Sequence, residues 1–218
     1  MGPPGSGKGT LASVCTKRFG WKQISTGNLC RKHIAEQTEI GKEIDLIIKS
    51  GKLISDTLIT YMVSQWLSEN ATKTSAIILD GYPRTVRQAQ LFNKIIAEAL
   101  PLARICILVL SVSDATVINR LCRRFVCQNK ECQAVYASAN GEEAMPFARC
   151  KECGDSIGRR ADDEESVIKN RLTDYYAHEK ELLNFYRNSE ADIIELEISA
   201  DQSISQVFER FVSSINEK

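Results

Sequence analysis

Gly2-Pro3-Pro4-Gly5-Ser6-Gly7-Lys8-Gly9-Thr10 follows Met1 directly, and this stretch decides the fold. Gly-x4-Gly-Lys is the spacing of a phosphate-binding loop, which hangs between a strand and a helix. Glycines without Cβ let consecutive backbone N–H groups converge on an anion. The N-terminus of the following helix adds a favourable dipole, and Lys8 can reach the β- and γ-phosphates. Gly5, Ser6, Gly7, Lys8, Gly9 and Thr10 are the expected nucleotide contacts of the loop. Gly9 stands where Ser or Thr commonly follows the lysine, with Thr10 one place later.

Outward from the loop, short apolar runs at 21–25, 76–80, 104–110 and 192–198 predict strands. Long stretches of helical periodicity separate them. That alternation predicts an α/β fold in which crossover helices wrap a parallel sheet. Leu58, Ile59, Met62, Val63, Trp66 and Leu67 form one helix's buried stripe behind Asp56, read as its N-cap. Ile204, Val207, Phe208, Phe211, Val212 and Ile215 form the stripe of the last helix. Lysine plus arginine equals aspartate plus glutamate, 28 against 28, so no field of one sign steers the whole molecule. This argues against a nucleic-acid coat or a membrane-surface protein. Without an apolar run near membrane-spanning length or a signal peptide, the expected location is the cytoplasm.

Eight cysteines are unevenly placed. Cys15, Cys30, Cys106 and Cys122 are scattered and read as small buried residues or inert thiols. Cys127, Cys132, Cys150 and Cys153 fall in two pairs within a leucine-poor segment, 125–160, that reads as an insertion. Paired thiolates are a tetrahedral zinc pattern, and four protein ligands make such an ion structural. Two disulfides or four unligated thiols are the alternatives, the first disfavoured by a reducing compartment. His33 and His178 lie far from the cysteines with no ligand spacing, and read as ordinary packing or surface residues.

Further segments appear in order: Ile24-Ser25-Thr26-Gly27, Gly51-Lys52-Leu53-Ile54-Ser55-Asp56, Leu79-Asp80-Gly81-Tyr82-Pro83-Arg84-Thr85, Arg120-Leu121 with Arg124, and Arg160-Ala161-Asp162-Asp163-Glu164-Glu165 with Arg171. With the loop and its Gly9, this set resembles the adenylate kinase family from Gly2 to the last helix. The resemblance implies reversible phosphoryl transfer between ATP and AMP, giving two ADP, by a Mg2+-dependent monomer with a zinc lid. It implies a core of 1–24, 55–122 and 161–218, an AMP-binding helical arm at 25–54 and a zinc lid at 123–160. Lys8, Arg84, Arg120, Arg124, Arg160 and Arg171 would be the catalytic cations, because guanidinium forks match phosphate and stay charged. Arg84, Arg160 and Arg171 would face AMP's phosphate or the transferring group. Arg120, Arg124, Val135, Tyr136 and Gln202 would serve ATP, with Arg120 stacked on its adenine. Asp80 would hold water on Mg2+. Thr26, Arg31, Lys52, Leu53, Ile54, Gly81, Tyr82, Pro83 and Gln88 would complete the AMP site, Gln88 reading the adenine edge. Relatives acting on UMP or CMP show asparagines after the Gly-x-Pro-Arg motif, so Thr85 and Gln88 favour AMP. Asn28 departs from the family, which has Asp after Ser-Thr-Gly; that departure is expected to affect rate or affinity.

A sibling kinase with GTP as donor or UMP/CMP as acceptor is the nearest alternative. A zinc-ribbon nucleic-acid binder with a vestigial loop is the more distant one, and the balanced charge counts against it. A phosphate loop ordinarily follows a buried strand, here with only Met1 to form it. The expectation is therefore that the natural chain carries about five or more additional N-terminal residues, mostly Ile, Val or Leu.

Overall fold

The computed structural model describes residues 1–49, 54–129, 131–137, 149–160, 163–189 and 193–217. In chain order the elements are α1 (Lys8–Phe19), β1 (Lys22–Ser25), α2 (Thr26–Ala35), α3 (Glu39–Lys49), α4 (Asp56–Asn70), β2 (Ile77–Asp80), α5 (Val86–Ala99) and β3 (Ile105–Ser111). There follow α6 (Asp114–Cys122), β4 (Arg124–Cys127), β5 (Val135–Ala137), β6 (Ile157–Gly158), α7 (Glu165–Arg187), β7 (Ile193–Ser199) and α8 (Ile204–Asn216). Strands thus form at the four apolar runs, alternating with helices as the periodicity predicts.

β1 pairs in parallel with β2, placing Ser25 opposite Asp80. β3 pairs in parallel with β7, from Ile105 opposite Ile193 to Ser111 opposite Ser199. Met1 runs beside β3, its amino group donating to the Leu108 carbonyl and its own carbonyl accepting from the Leu110 N–H at 3.0 Å. A third sheet, β5-β4-β6, is antiparallel. Among the described residues no helix is long and apolar enough to cross a membrane.

Packing explains why these elements hold the loop in place. Leu11 and Cys15 of α1 bury against Leu196 and Ile198 of β7 and Val207 and Phe211 of α8. Val63 and Leu67 of α4 bury with Ile24, Tyr82 and Phe92. Val117 and Leu121 of α6 close on Ile168 and Leu172 of α7. Ser55, rather than Asp56, caps α4: its side chain accepts from the Leu58 N–H at 3.2 Å, and Asp56 is the first helical residue. That frees the Asp56 carboxylate for a different task. Of the scattered cysteines, Cys15 and Cys30 are buried, Cys122 is half-buried and Cys106 is exposed, so burial describes only the first two.

α2 and α3 form a tight helical hairpin. A Cβ on Gly41 would lie 2.0 Å from the His33 carbonyl oxygen, so only glycine admits this approach of backbones. Thr38 fixes the turn, its hydroxyl accepting from the Gly41 N–H at 3.0 Å and meeting Nδ1 of His33 at 2.9 Å. His33 therefore serves local packing.

Candidate active site and metal centre

The loop enters α1 through Gly7, whose φ of 95° lies in the left-handed region. Gly5 has φ of 78°, and a Cβ there would come within 2.9 Å of Leu121. Lys8 folds back over this loop: its ammonium donates to the carbonyls of Gly2 at 2.7 Å and Pro3 at 2.8 Å, and to Ser6 Oγ at 3.3 Å. All three ammonium hydrogens are thus satisfied by the loop itself. Desolvation pushes Lys8 down to about 8; Asp80 resists that shift, while Arg84, Arg171 and Arg124 add to it. A Cβ on Gly9 would sit 3.3 Å from Asp80 Oδ2, a tight contact with the tip of that side chain.

Lys8, Asp80, Arg84, Arg124 and Arg171 therefore share one electrostatic field. Arg84 is lowered by desolvation first, with Asp80 opposing and Arg171 assisting. Its Nε donates to the Gly81 carbonyl at 2.8 Å, where Thr26 Oγ1 also donates at 3.0 Å. Arg124 grips Asp163 with two guanidinium nitrogens, Nε at 2.7 Å and Nη2 closer still. Arg171 Nη1 stands 3.6 Å from the same carboxylate. Asp163 sits in the acidic run 162–165, where nothing in the sequence marks it as the carboxylate that brackets two arginines. Arg160 follows β6, half-buried, and its carbonyl accepts from the Asp163 N–H at 3.2 Å.

The residues expected to hold AMP gather at the N-termini of α2 and α5. Thr26 and Tyr82 are buried, Gly81 has φ of 78°, and the Tyr82–Pro83 peptide is cis. Gln88 is buried, its Oε1 accepting from the Arg84 N–H at 2.8 Å and its Nε2 donating to Asp56 Oδ1 at 2.8 Å. Arg31 is exposed; it donates to Asn28 Oδ1 and, at 3.3 Å, to Gln133 Oε1. Asn28 thus gives Arg31 an acceptor without a charge. Ile54 is half-buried, while Lys52 and Leu53 lie outside the described residues.

Among the residues expected to serve ATP, Arg120 Nη2 donates to the Ala200 carbonyl at 2.7 Å, tying α6 to the turn that carries Gln202. Val135 is exposed on β5. Tyr136, expected to serve ATP, turns its hydroxyl to Cys150 Sγ at 3.2 Å and accepts from the Lys151 N–H at 2.9 Å.

Cys127, Cys132, Cys150 and Cys153 converge, all four sulfurs within 4.8 Å of one another. Cys127 meets Cys153 at 3.4 Å and Cys132 meets Cys150 at 3.5 Å, as free cysteines. A tetrahedral ion with Zn–S bonds of about 2.3 Å sets its sulfurs about 3.8 Å apart, so the quartet fits zinc with only slight adjustment. Two turns shape it. Asn129 Oδ1 accepts from the N–H groups of Glu131 and Cys132, and Gly154, at φ of 78°, donates to the Cys150 carbonyl at 2.8 Å. Burial pushes the Cys127 thiol up to about 12, whereas the Tyr136 hydroxyl holds Cys150 down to about 6. Ionising all four thiols so close together would need a cation between them. Neither histidine joins the group. Each turn also carries an ion pair outward, Glu131 to Lys32 of α2 at 2.9 Å and Glu152 to Lys17 of α1 at 3.0 Å.

Comparison with known proteins agrees with this geometry. The family model described as Adenylate kinase matches residues 1–191. A protein of Chlamydia muridarum named Adenylate kinase is 33% identical over 229 aligned residues, covering the whole of this chain and 86% of the relative. One of Methanothrix thermoacetophila with the same name is 34% identical over 209 residues, covering 96% of this chain and 93% of the relative. A third, from Chlamydia trachomatis, is 32% identical over 228 residues, covering 99% and 88%. A phosphate loop ringed by arginines, read together with these matches, places the chain in the adenylate kinase family of phosphotransferases.

Proposed function

We propose that this chain moves the γ-phosphoryl group of ATP onto AMP, reversibly, with Lys8, Arg84, Arg120, Arg124, Arg160 and Arg171 as the catalytic cations. The convergence of Lys8, Arg84, Arg124 and Arg171 beside Asp80 supports this reading. Phosphoryl transfer spreads negative charge over equatorial oxygens, and fixed cations stabilise that charge more than they stabilise the ground state. The acceptor oxygen belongs to a phosphate that is already ionised, so the site needs positioning and positive charge rather than a general base. Mg2+, arriving with ATP, would neutralise developing charge on its phosphates, and Asp80 would hold one of its waters. The loop residues from Gly5 to Thr10 cradle the donor phosphates, and Arg120 with the Gln202 turn frames its base. Thr26, Arg84 and Gln88 hold AMP, and Thr85 and Gln88 stand where relatives acting on UMP or CMP show asparagines. The working form is a cytoplasmic monomer without nucleic-acid or membrane partners, in keeping with its balanced charge. ADP and Mg2+ alone test the reading: ATP and AMP should appear in equal amounts. Absence of either product, or faster turnover with UMP or CMP as acceptor, overturns it.

The same proposal assigns a structural Zn2+ to Cys127, Cys132, Cys150 and Cys153. Elemental analysis of the purified protein should find about one zinc per chain. Chelation should lower the melting temperature, because four-thiolate binding contributes folding free energy directly. Purified protein without metal, or a melting curve unmoved by chelator, counts against the site.

A further inference from the structure

We infer that Asp56, together with the Arg84 backbone N–H, sets the polarity of the Gln88 amide and, through it, which bases the acceptor site admits. The inference rests on the reading that Gln88 faces the acceptor base. Asp56 stands at the start of α4 and Gln88 in the first turn of α5, 32 residues apart. Both carboxylate oxygens of Asp56 are engaged: Oδ1 accepts from Gln88 Nε2 at 2.8 Å, and Oδ2 accepts from Thr85 Oγ1 at 3.0 Å. Thr85 also caps α5, its hydroxyl oxygen accepting from the Gln88 N–H at 3.1 Å. The circuit closes where the Arg84 N–H donates to Gln88 Oε1 at 2.8 Å.

The chemistry of the partners fixes which end of the amide is which. An ionised carboxylate only accepts, so the Gln88 group facing Asp56 must be the NH2. A backbone N–H only donates, so the group facing Arg84 must be the carbonyl. A primary amide has two hydrogens and two lone pairs. One of each is used by this circuit, leaving one donor and one acceptor unused among the described residues. That remaining pair, in fixed order, complements adenine, which offers an amino donor beside a ring-nitrogen acceptor. Hypoxanthine presents the reverse, a carbonyl acceptor beside an N–H donor, and meets donor with donor. Gln88 is 6% exposed, so a reversed amide would leave groups mispaired away from water. Asp56 touches no base in this scheme; it is a positioning residue for Gln88.

Asp56→Asn keeps the shape but can both donate and accept, so one of the two partners that orient the amide is lost and the Arg84 N–H alone is left to hold it. The measurement is kcat/KM with ATP and either AMP or IMP as acceptor, alongside the melting temperature. The AMP-over-IMP preference should fall by about fivefold or more, the scale of discrimination from one bidentate amide–base pair. Thr85→Val, which removes the hydroxyl holding Oδ2, should shift the preference in the same direction by less, and it covers the case in which Asp56→Asn fails to fold. Gln88→Ala separates the two layers of the argument. If it leaves the preference unchanged, Gln88 does not read the base and both ideas fall. If Gln88→Ala abolishes the preference while Asp56→Asn and Thr85→Val lower AMP and IMP turnover equally, Asp56 is merely structural and this inference alone fails.

Discussion

Lys8→Ala is expected to lower turnover from ADP by about 10²- to 10³-fold, roughly 3–4 kcal/mol of transition-state stabilisation, the scale of losing one preorganised donor to a developing oxyanion. Arg84→Ala should fall in the same range, because its guanidinium is anchored on Gly81 beside the same field. Both variants should keep the fold, with Lys8→Ala lowering the melting temperature because Gly2, Pro3 and Ser6 lose their shared donor. Lys8 also carries a pH signature. Its ordinary value is 10.5, and desolvation brings it to about 8, with Arg84, Arg171 and Arg124 contributing and Asp80 opposing. The unfolded chain therefore binds the proton more tightly. Its contribution to stability is a penalty fully present below about 8 and relieved as pH rises towards 10.5. Activity runs the other way, because the neutral amine cannot offset phosphate charge. Parent kcat/KM for MgATP should fall above about pH 8, since that ratio reports the free enzyme. Lys8→Ala should lack that limb. A parent profile flat to pH 10, or near-parental turnover in Lys8→Ala, contradicts the role assigned to Lys8.

The parts legible in the sequence were those whose chemistry is local or periodic. The loop from Gly2 to Thr10 declares itself because glycine spacing and a lysine are contiguous, and α1 must start where they end. Strands at Ile77–Asp80 and Ile105–Ser111 follow from apolar runs bounded by polar residues. Cysteine pairs, each within one turn, announce their own convergence. What escaped reading depends on partners distant in sequence. Asp56 looked like a helix cap, since nothing near it reveals that Thr85 and Gln88 will take both oxygens. Tyr136 lies in an apolar-aromatic strand, and only the fold of the following segment brings its hydroxyl to Cys150. Glu131 and Glu152 are exposed, and no local pattern reveals that they meet Lys32 and Lys17 across the fold. Side-chain pairing across 29 to 135 residues is set by packing of whole elements, which periodicity alone does not encode.

Asp163 is the sharpest such case, and Asp163→Asn should injure both stability and rate. Its side chain is 3% exposed, against 14% for Arg124 and 30% for Arg171, so one nearly buried carboxylate holds two cations. Removing the charge leaves two guanidinium groups repelling each other in a partly desolvated cleft. Breaking a buried pair from one side costs about 3–5 kcal/mol, and the exposure of Arg171 argues for the lower end of that range. Asparagine also turns a donor towards one of the two arginines, so geometry suffers as well as charge. Misplacing catalytic cations by about 1 Å is enough to lower kcat by about 10²-fold. Affinity should behave differently from rate, because nucleotide phosphates restore the missing negative charge. A nucleotide that bridges both substrate sites should therefore raise the melting temperature of Asp163→Asn more than that of the parent, while kcat stays depressed. Thermal melts with and without such a nucleotide, beside steady-state kinetics, separate this from a plain folding defect. A variant whose melting temperature and kcat both match the parent would show that Arg124 and Arg171 hold their places without Asp163.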